Sequence, residues 1–163
     1  MKRRARLSAV LMTALAIAAC DERRSPTSAT PATLDPAVVA LLTRAIQDEY
    51  RAEATYQGVI DDFGAVLPFV NVLTAEERHS AAIGRLFTSR GLAAPVSTST
   101  PASVAHFASV TAACAAGVDA ERLNIAMYDD LLRADLPADV RQVFSNNRSA
   151  SLVNHLPAFE RCA

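Results

Sequence analysis

The sequence predicts an all-α domain: a four-helix bundle made of two antiparallel helix hairpins joined by a crossover. Three observations predict it. Apolar residues recur at helical spacing over four long stretches, with no convincing strand run between them. Pro36, Gly64, Pro68, Gly91 and Pro137 punctuate the ends of these stretches. The first and last connections are short while the middle one is longer, which suits two hairpins and one long crossing.

The N-terminus comes before the domain. Lys2, Arg3, Arg4 and Arg6 form a basic head, and Leu7 to Ala18 is an apolar run too short to span a bilayer as a mature helix. This is the pattern of a secretory signal. Ile17-Ala18-Ala19-Cys20 resembles a bacterial lipobox, in which the cysteine becomes the lipidated first residue after cleavage. Residues 1–19 then read as a lipoprotein signal peptide and Cys20 as the lipidation site. An ordinary signal peptide with an incidental cysteine is the alternative; the coincidence of small residues and Cys at the end of the run favours the lipoprotein. Either way the expectation is an exported protein, periplasmic or at the cell surface, with the membrane as a partner through the lipid. Asp21 after the cysteine would add inner-membrane retention in a Gram-negative cell. Residues 20–34 are rich in Ser, Thr, Pro and Ala and read as a disordered tether. Residues 35–163 remain for one domain. Loss of residues 1–19 removes four basic groups and no acid, so the formal charge of −1 becomes −5. With no basic patch left, nucleic acid is not an expected partner.

The first helix is predicted from Asp35, an N-cap followed by Pro36, to Phe63, with Gly64 as its stop. The second runs from Pro68 to Arg90 and stops at Gly91. Residues 91–101, rich in Pro, Ser and Thr, form the crossover. The third is predicted from Ala102 to Ala134, with Gly117 inside it at either a close contact or a small break. The fourth starts near Pro137 and continues to the C-terminus, with Pro157 kinking it or ending its regular part.

Glu76-Glu77-Arg78-His79 carries the chemistry. Taking Glu76 as the origin, Phe69, Val72, His79, Ile83 and Phe87 all fall within about 60° of it on a helical wheel. Glu49 is central to the apolar stripe of the first helix, with Val38, Leu42, Tyr56 and Ile60 within about 20°, and Glu53 lies at the stripe's edge. Glu121 is central to the third, among Val110, Cys114, Tyr128 and Leu132. On the fourth, His155 shares a face with Phe144, Phe159 and Cys162. Glu49, Glu76, His79, Glu121 and His155 therefore all point into the predicted core. Such a set is costly to bury without a counter-charge, and a metal ion is the usual one. An E-x-x-H pair facing inward is how carboxylate-bridged di-metal bundles hold their ions.

There is an internal echo. Tyr56 follows Glu49 by seven residues, and Tyr128 follows Glu121 by seven. Each tyrosine either hydrogen-bonds near the ligands or simply packs at a helix interface. The repetition makes the two hairpins look like copies, with Leu152 standing where the second E-x-x-H needs its glutamate.

At these residues the chain resembles the ferritin-like, rubrerythrin-type di-iron carboxylate superfamily, in an uncharacterised exported branch. Glu49-x-x-Ala52-x-x-x-Tyr56 looks like its first-helix motif and Ala75-Glu76-Glu77-Arg78-His79 like its second. Gly117-x-x-x-Glu121 with Tyr128 is similar to the third, and Asn154-His155-Leu156-Pro157-Ala158-Phe159 to the closing segment. The resemblance covers residues 35–163. It implies a ferritin-like bundle in which Glu49 is a terminal ligand, Glu76 a bridge and His79 a ligand of the first metal. Glu121 and His155 would serve the second. Glu53 or Glu160 would supply the missing oxygen ligand, or Arg148 would pair with a carboxylate and replace part of the metal's charge. Iron is the implied cofactor, and with Leu152 in place of a second bridging glutamate the site is dinuclear with one bridge, mononuclear or decayed; oxygen and imidazole ligands also suit manganese or zinc. The implied activity is Fe(II) oxidation or reduction of oxygen or peroxide. The alternatives are a metal buffer or sensor without turnover, and a metal-free structural module. A lipid tether does not suit a closed cage but is compatible with a homodimer.

Cys114 lies seven residues before Glu121, and Cys162 seven after His155. If Glu121 faces His155 across an antiparallel hairpin, both cysteines are displaced about 10 Å in the same direction. In an oxidising compartment that predicts a Cys114–Cys162 disulfide, against two buried free thiols. No Ser/His/Asp arrangement and no phosphate-cradling glycine loop is present, so hydrolase and nucleotide-binding chemistry have no footing.

Overall fold

The structure is a computed structural model, and it describes residues 33–163. The expected signal peptide, the lipidation site Cys20 and nearly all of the expected tether lie outside the described residues. The described part is helical, without a strand. Helix α1 is Pro36–Phe63, α2 is Phe69–Thr88, α3 is Val110–Leu131 and α4 is Ala138–Ala150. A π-helical turn, Ser151–His155, joins α4 to the short α5, Leu156–Glu160. No helix among the described residues is long and apolar enough to cross a membrane.

The first two helices begin and end much as their punctuation requires. The Asp35 side chain accepts a hydrogen bond from the Ala37 N–H at 2.7 Å, satisfying one of the free donors of the first turn. Gly64 ends α1 at φ 82°, where a side chain would be strained. The end of α2 is closed by the Leu92 N–H bonding back to the Phe87 carbonyl at 3.1 Å, which needs Gly91 at φ 73°.

Two expected boundaries move. The third helix begins at Val110, not Ala102. The Ser109 hydroxyl caps it by accepting from the Ala112 N–H at 3.1 Å, while residues 101–108 fold back onto α1. Val104 and Pro101 lie against Gly58, and His106 Nδ1 meets Asp62 at 2.7 Å. Docking on α1 thus outcompetes extension of α3. The fourth helix continues without a break, but it widens into the π turn over Ser151–His155, just before Pro157, the second residue of α5. Pro157 has no N–H to donate and its ring crowds the carbonyl one turn back, so the preceding backbone loosens and the Leu156 N–H bonds to Ser151, five residues back.

Two apolar clusters make up the core. One gathers Leu42, Ile46, Ile83, Phe87, Tyr128, Leu131, Val140 and Phe144. The other gathers Tyr56, Val59, Phe69, Val72, Cys114, Val118 and Phe159. The polar residues read as inward-facing are buried as expected: Glu49, Glu76, Glu121 and His155 are at most 4% exposed, and His79 is mostly buried. Gly117 marks a close contact. A Cβ there would lie 2.7 Å from Cδ1 of Phe159. The sulfurs of Cys114 and Cys162 are at bonding distance, 2.10 Å, tying α3 to the C-terminal end.

Candidate metal centre

Each helix contributes its polar residue from the middle of an apolar face, so the five side chains meet at one level. Glu49 comes from α1, Glu76 and His79 from successive turns of α2, Glu121 from α3 and His155 from the π turn. They form two triads that share Glu76. Glu49, Glu76 and His79 bring one ligand atom each to within 4.8 Å of one another, and so do Glu76, Glu121 and His155. His79 Nδ1 is 2.8 Å from Glu76 Oε2 and 3.5 Å from Glu49 Oε2. His155 Nδ1 is 3.0 Å from Glu76 Oε1 and 3.5 Å from Glu121 Oε2. The two carboxylate oxygens of Glu76 thus face one imidazole each. The two rings lie 5.4 Å apart, tilted by 24°.

The tyrosines hold the terminal carboxylates, and they do so crosswise. The Tyr56 hydroxyl on α1 donates to Glu121 Oε1 on α3 at 2.7 Å. The Tyr128 hydroxyl on α3 donates to Glu49 Oε1 on α1. Each tyrosine stands about 10 Å along its helix from its own glutamate, so this reciprocity requires α1 and α3 to run antiparallel. Asn147 donates to the Tyr128 oxygen at 3.1 Å from α4.

With one oxygen of each terminal carboxylate occupied, the other is left free. Glu49 Oε2 and Glu121 Oε2 are buried and have no hydrogen-bond partner among the described residues, and the buried His155 Nδ1 has only the carboxylates of Glu76 and Glu121 beside it. Buried acceptors without a donor cost about 1–3 kcal/mol each. Two such carboxylate oxygens and the imidazole of His155 converging on the shared carboxylate form a ligand set that fits a cation, which would displace the imidazole protons on binding. Oxygen and imidazole suit iron, manganese or zinc, and a hydroxyl donor behind each terminal ligand is the outer-shell support such sites need.

The protonation pattern follows from crowding of like charges. Burial, reinforced by the negative charge of Glu76, pushes Glu49 up to about 7. For Glu76 burial alone would raise the pKa, but hydrogen bonds from His155 and His79 hold it below the ordinary value. Burial would lower both histidines, and the facing carboxylates overcome this. Glu49 and Glu76 bring His79 up to about 10, and Glu121 and Glu76 bring His155 up to about 9. Burial and then the neighbouring carboxylates drive both tyrosine phenols well above their usual value, so they stay donors.

Several expected roles are corrected. Leu152 is 41% exposed and does not occupy the place of a second bridging glutamate. The wider π turn brings Ser151 to that face instead; it is buried and donates to Asn124 Oδ1 at 2.9 Å, and Asn124 donates in turn to Asp48 at 2.9 Å. A hydroxyl cannot bridge two ions as a carboxylate does. Arg148 does not enter the site. It pairs with Asp129, Nε to Oδ1 at 2.6 Å, on the outer side. Glu160 is also outside, 3.3 Å from Arg122. Glu53 is half-buried at the edge of the core and belongs to neither triad. Asn124, Asn147 and Ser151 were not among the expected site residues. Ser151 and Asn147 do sit four and eight residues before His155, a polar ridge that the sequence carried.

No protein-family model matches the chain, and no curated protein is significantly similar to it. A solved structure is similar: a conserved hypothetical protein, rv2844, from Mycobacterium tuberculosis, with TM-score 0.67 and 18% identity. The match covers 80% of this chain and all of that one. At that identity the likeness concerns the all-helical fold alone.

Proposed function

We propose that this chain is an exported, ferritin-like metal-binding protein that carries out iron-dependent redox chemistry at a carboxylate/histidine centre. The observation that carries the reading is the pair of triads sharing Glu76, with an unpartnered buried oxygen on each of Glu49 and Glu121. The antiparallel α1/α3 relation supports a ferritin-like topology. With short turns on either side, it makes α2 and α3 parallel, and parallel neighbours need a long crossover such as residues 89–109.

Glu49 and His79 would hold a first ion, Glu121 and His155 a second, and Glu76 would span both. Bound Fe(II) would supply the electrons that reduce oxygen or peroxide, and would itself be oxidised to Fe(III). Tyr56 and Tyr128 fix one oxygen of each terminal carboxylate and leave the other free to change its position as charge changes. The two apolar clusters would shield most of the site from bulk water. Lipid on Cys20 would keep the domain at a membrane, outside the cytoplasm.

A second reading, a metal buffer or sensor without turnover, is favoured by one observation: Ser151 faces the position where a second bridging carboxylate would stand. Anaerobic Fe(II) loading of the full chain, followed by desalting and elemental analysis, tests both. Up to about two equivalents, lost in Glu76→Gln, supports the site; peroxide consumption by the loaded protein then separates the enzyme from the buffer. No retained iron, with a melting temperature indifferent to chelator, would leave a metal-free scaffold.

A further inference from the structure

A cleft of about 690 Å³ opens beside His155, between the start of α2 and the π turn with α5. Its deepest residues are His155 and Val72, both buried. Small side chains, Ala75 of α2 and Ala158 of α5, are part of its lining. Its exposed rim carries Leu67 at 67% and Val153 at 59%, with the amides of Asn71 and Asn154 beside them. Besides buried His155, the charged side chain that lines it is Arg161, which is exposed and in no salt bridge among the described residues.

We propose that this cleft binds a small organic anion with an apolar tail, its acidic group at Arg161 and its tail between Ala75 and Ala158 toward His155. The volume lies within the range of sites that enclose such molecules. Leu67 and Val153 at the rim give the tail a place out of water, and the unpaired guanidinium selects the sign of the head group. A tail seated there ends next to a ligand of the second triad, which makes it a candidate substrate for the centre. That last step rests on the proposed function; the binding itself does not.

The test uses decanoate as probe, with decylamine as the same tail of opposite charge, by calorimetry on the full chain. Metal-free and Co(II)-treated protein are titrated in parallel. Saturable, one-to-one binding of decanoate, and at least tenfold weaker binding of decylamine, is expected in the metal-free protein. Arg161→Ala should weaken decanoate about fivefold, as an exposed ion pair does. Ala158→Phe should abolish binding by filling the cleft, and Val153→Asp at the exposed rim serves should that variant not fold. No decanoate binding, equal binding of both probes, or indifference to Arg161→Ala and to rim and wall variants would overturn the proposal. So would a dimer dissociated by Val153→Asp, which would make a second copy the occupant. Decanoate binding in a protein that takes no metal leaves the cleft standing and sinks the metal reading; metal uptake without decanoate binding does the reverse.

Discussion

Substituting Gly117 by alanine isolates one contact on which the second triad depends. The new Cβ would meet three atoms of the Phe159 ring at 2.7, 2.8 and 2.9 Å. Carbon atoms in comfortable contact stand about 3.5–4.0 Å apart, so the overlap approaches 1 Å. The ring has little room to retreat. Phe159 is fully buried and packs at 5.2 Å against both Tyr56 and Phe69. Alanine gains about 1 kcal/mol over glycine inside a helix, while overpacking a closed core costs about 1–3 kcal/mol. With three overlapping atoms the cost belongs near the top of that range, leaving a net loss of about 1–2 kcal/mol. Gly84 is the control. It is also inside a helix, but its nearest side-chain atoms would be 3.9 and 4.0 Å away. Gly84→Ala should therefore stabilise by about 0.5–1 kcal/mol. Urea denaturation of the metal-free protein reads both signs. A second readout follows the push through Tyr56 to Glu121, since Gly117→Ala should weaken metal binding and Gly84→Ala should not. If Gly117→Ala stabilises as much as Gly84→Ala, the close approach of α3 to Phe159 is not present and the reasoning fails.

Other outcomes follow from the same geometry. Glu49, His79 and His155 have folded pKa values of about 7, 10 and 9, raised above the ordinary 4.5 and 6.5. Each therefore contributes stability that is full below its unfolded value and lost as pH rises through its folded one. Melting curves of metal-free protein should show the melting temperature falling steadily from about pH 6 to pH 10; a flat profile would contradict the buried cluster. Lowered Glu76 acts oppositely, contributing above its ordinary value and losing that contribution in acid. Tyr128→Phe leaves Glu49 Oε1 without its donor and should cost about 1–3 kcal/mol, with metal affinity reduced about tenfold or more; an unchanged affinity would mean the hydroxyl does not orient that ligand. Reducing the Cys114–Cys162 bond, which closes 48 residues of sequence, should destabilise the domain by about 2–4 kcal/mol; denaturation with and without a thiol reductant measures it, and equal midpoints would refute it.

The helices and their inward-facing carboxylates were legible because burial of a charge violates the local pattern. Glu49, Glu76 and Glu121 each stand alone on an otherwise apolar stripe, and a period of 3.6 residues suffices to see it. The two cysteines were legible for the same reason, since equal offsets from two facing residues stay equal along antiparallel axes. The failures share a cause as well. Leu152 was read with an unbroken α-helical period, and Pro157 changes the local period to that of a wider turn, so the face shifted by one residue. Arg148 was assigned to the site on the same assumption, and Asp129 on the neighbouring helix claims it instead. The late start of α3 depended on contacts with Gly58 and Asp62, which are remote in sequence and leave no trace in local periodicity.

The two triads differ in how far apart along the chain their members lie. Glu49, Glu76 and His79 belong to a single hairpin closed by a five-residue turn, and two of them are successive turns of one helix. Glu76, Glu121 and His155 come from three separate elements, and the last of them is anchored by the disulfide and by Phe159 lying on Gly117. The loop-closing entropy is therefore small for the first triad and large for the second. In a chain that takes up two ions, this ranks them: the hairpin half fills first and retains its ion longest. The half containing His155 is the late and exchangeable one, and whatever happens at the C-terminal end of the molecule is felt there.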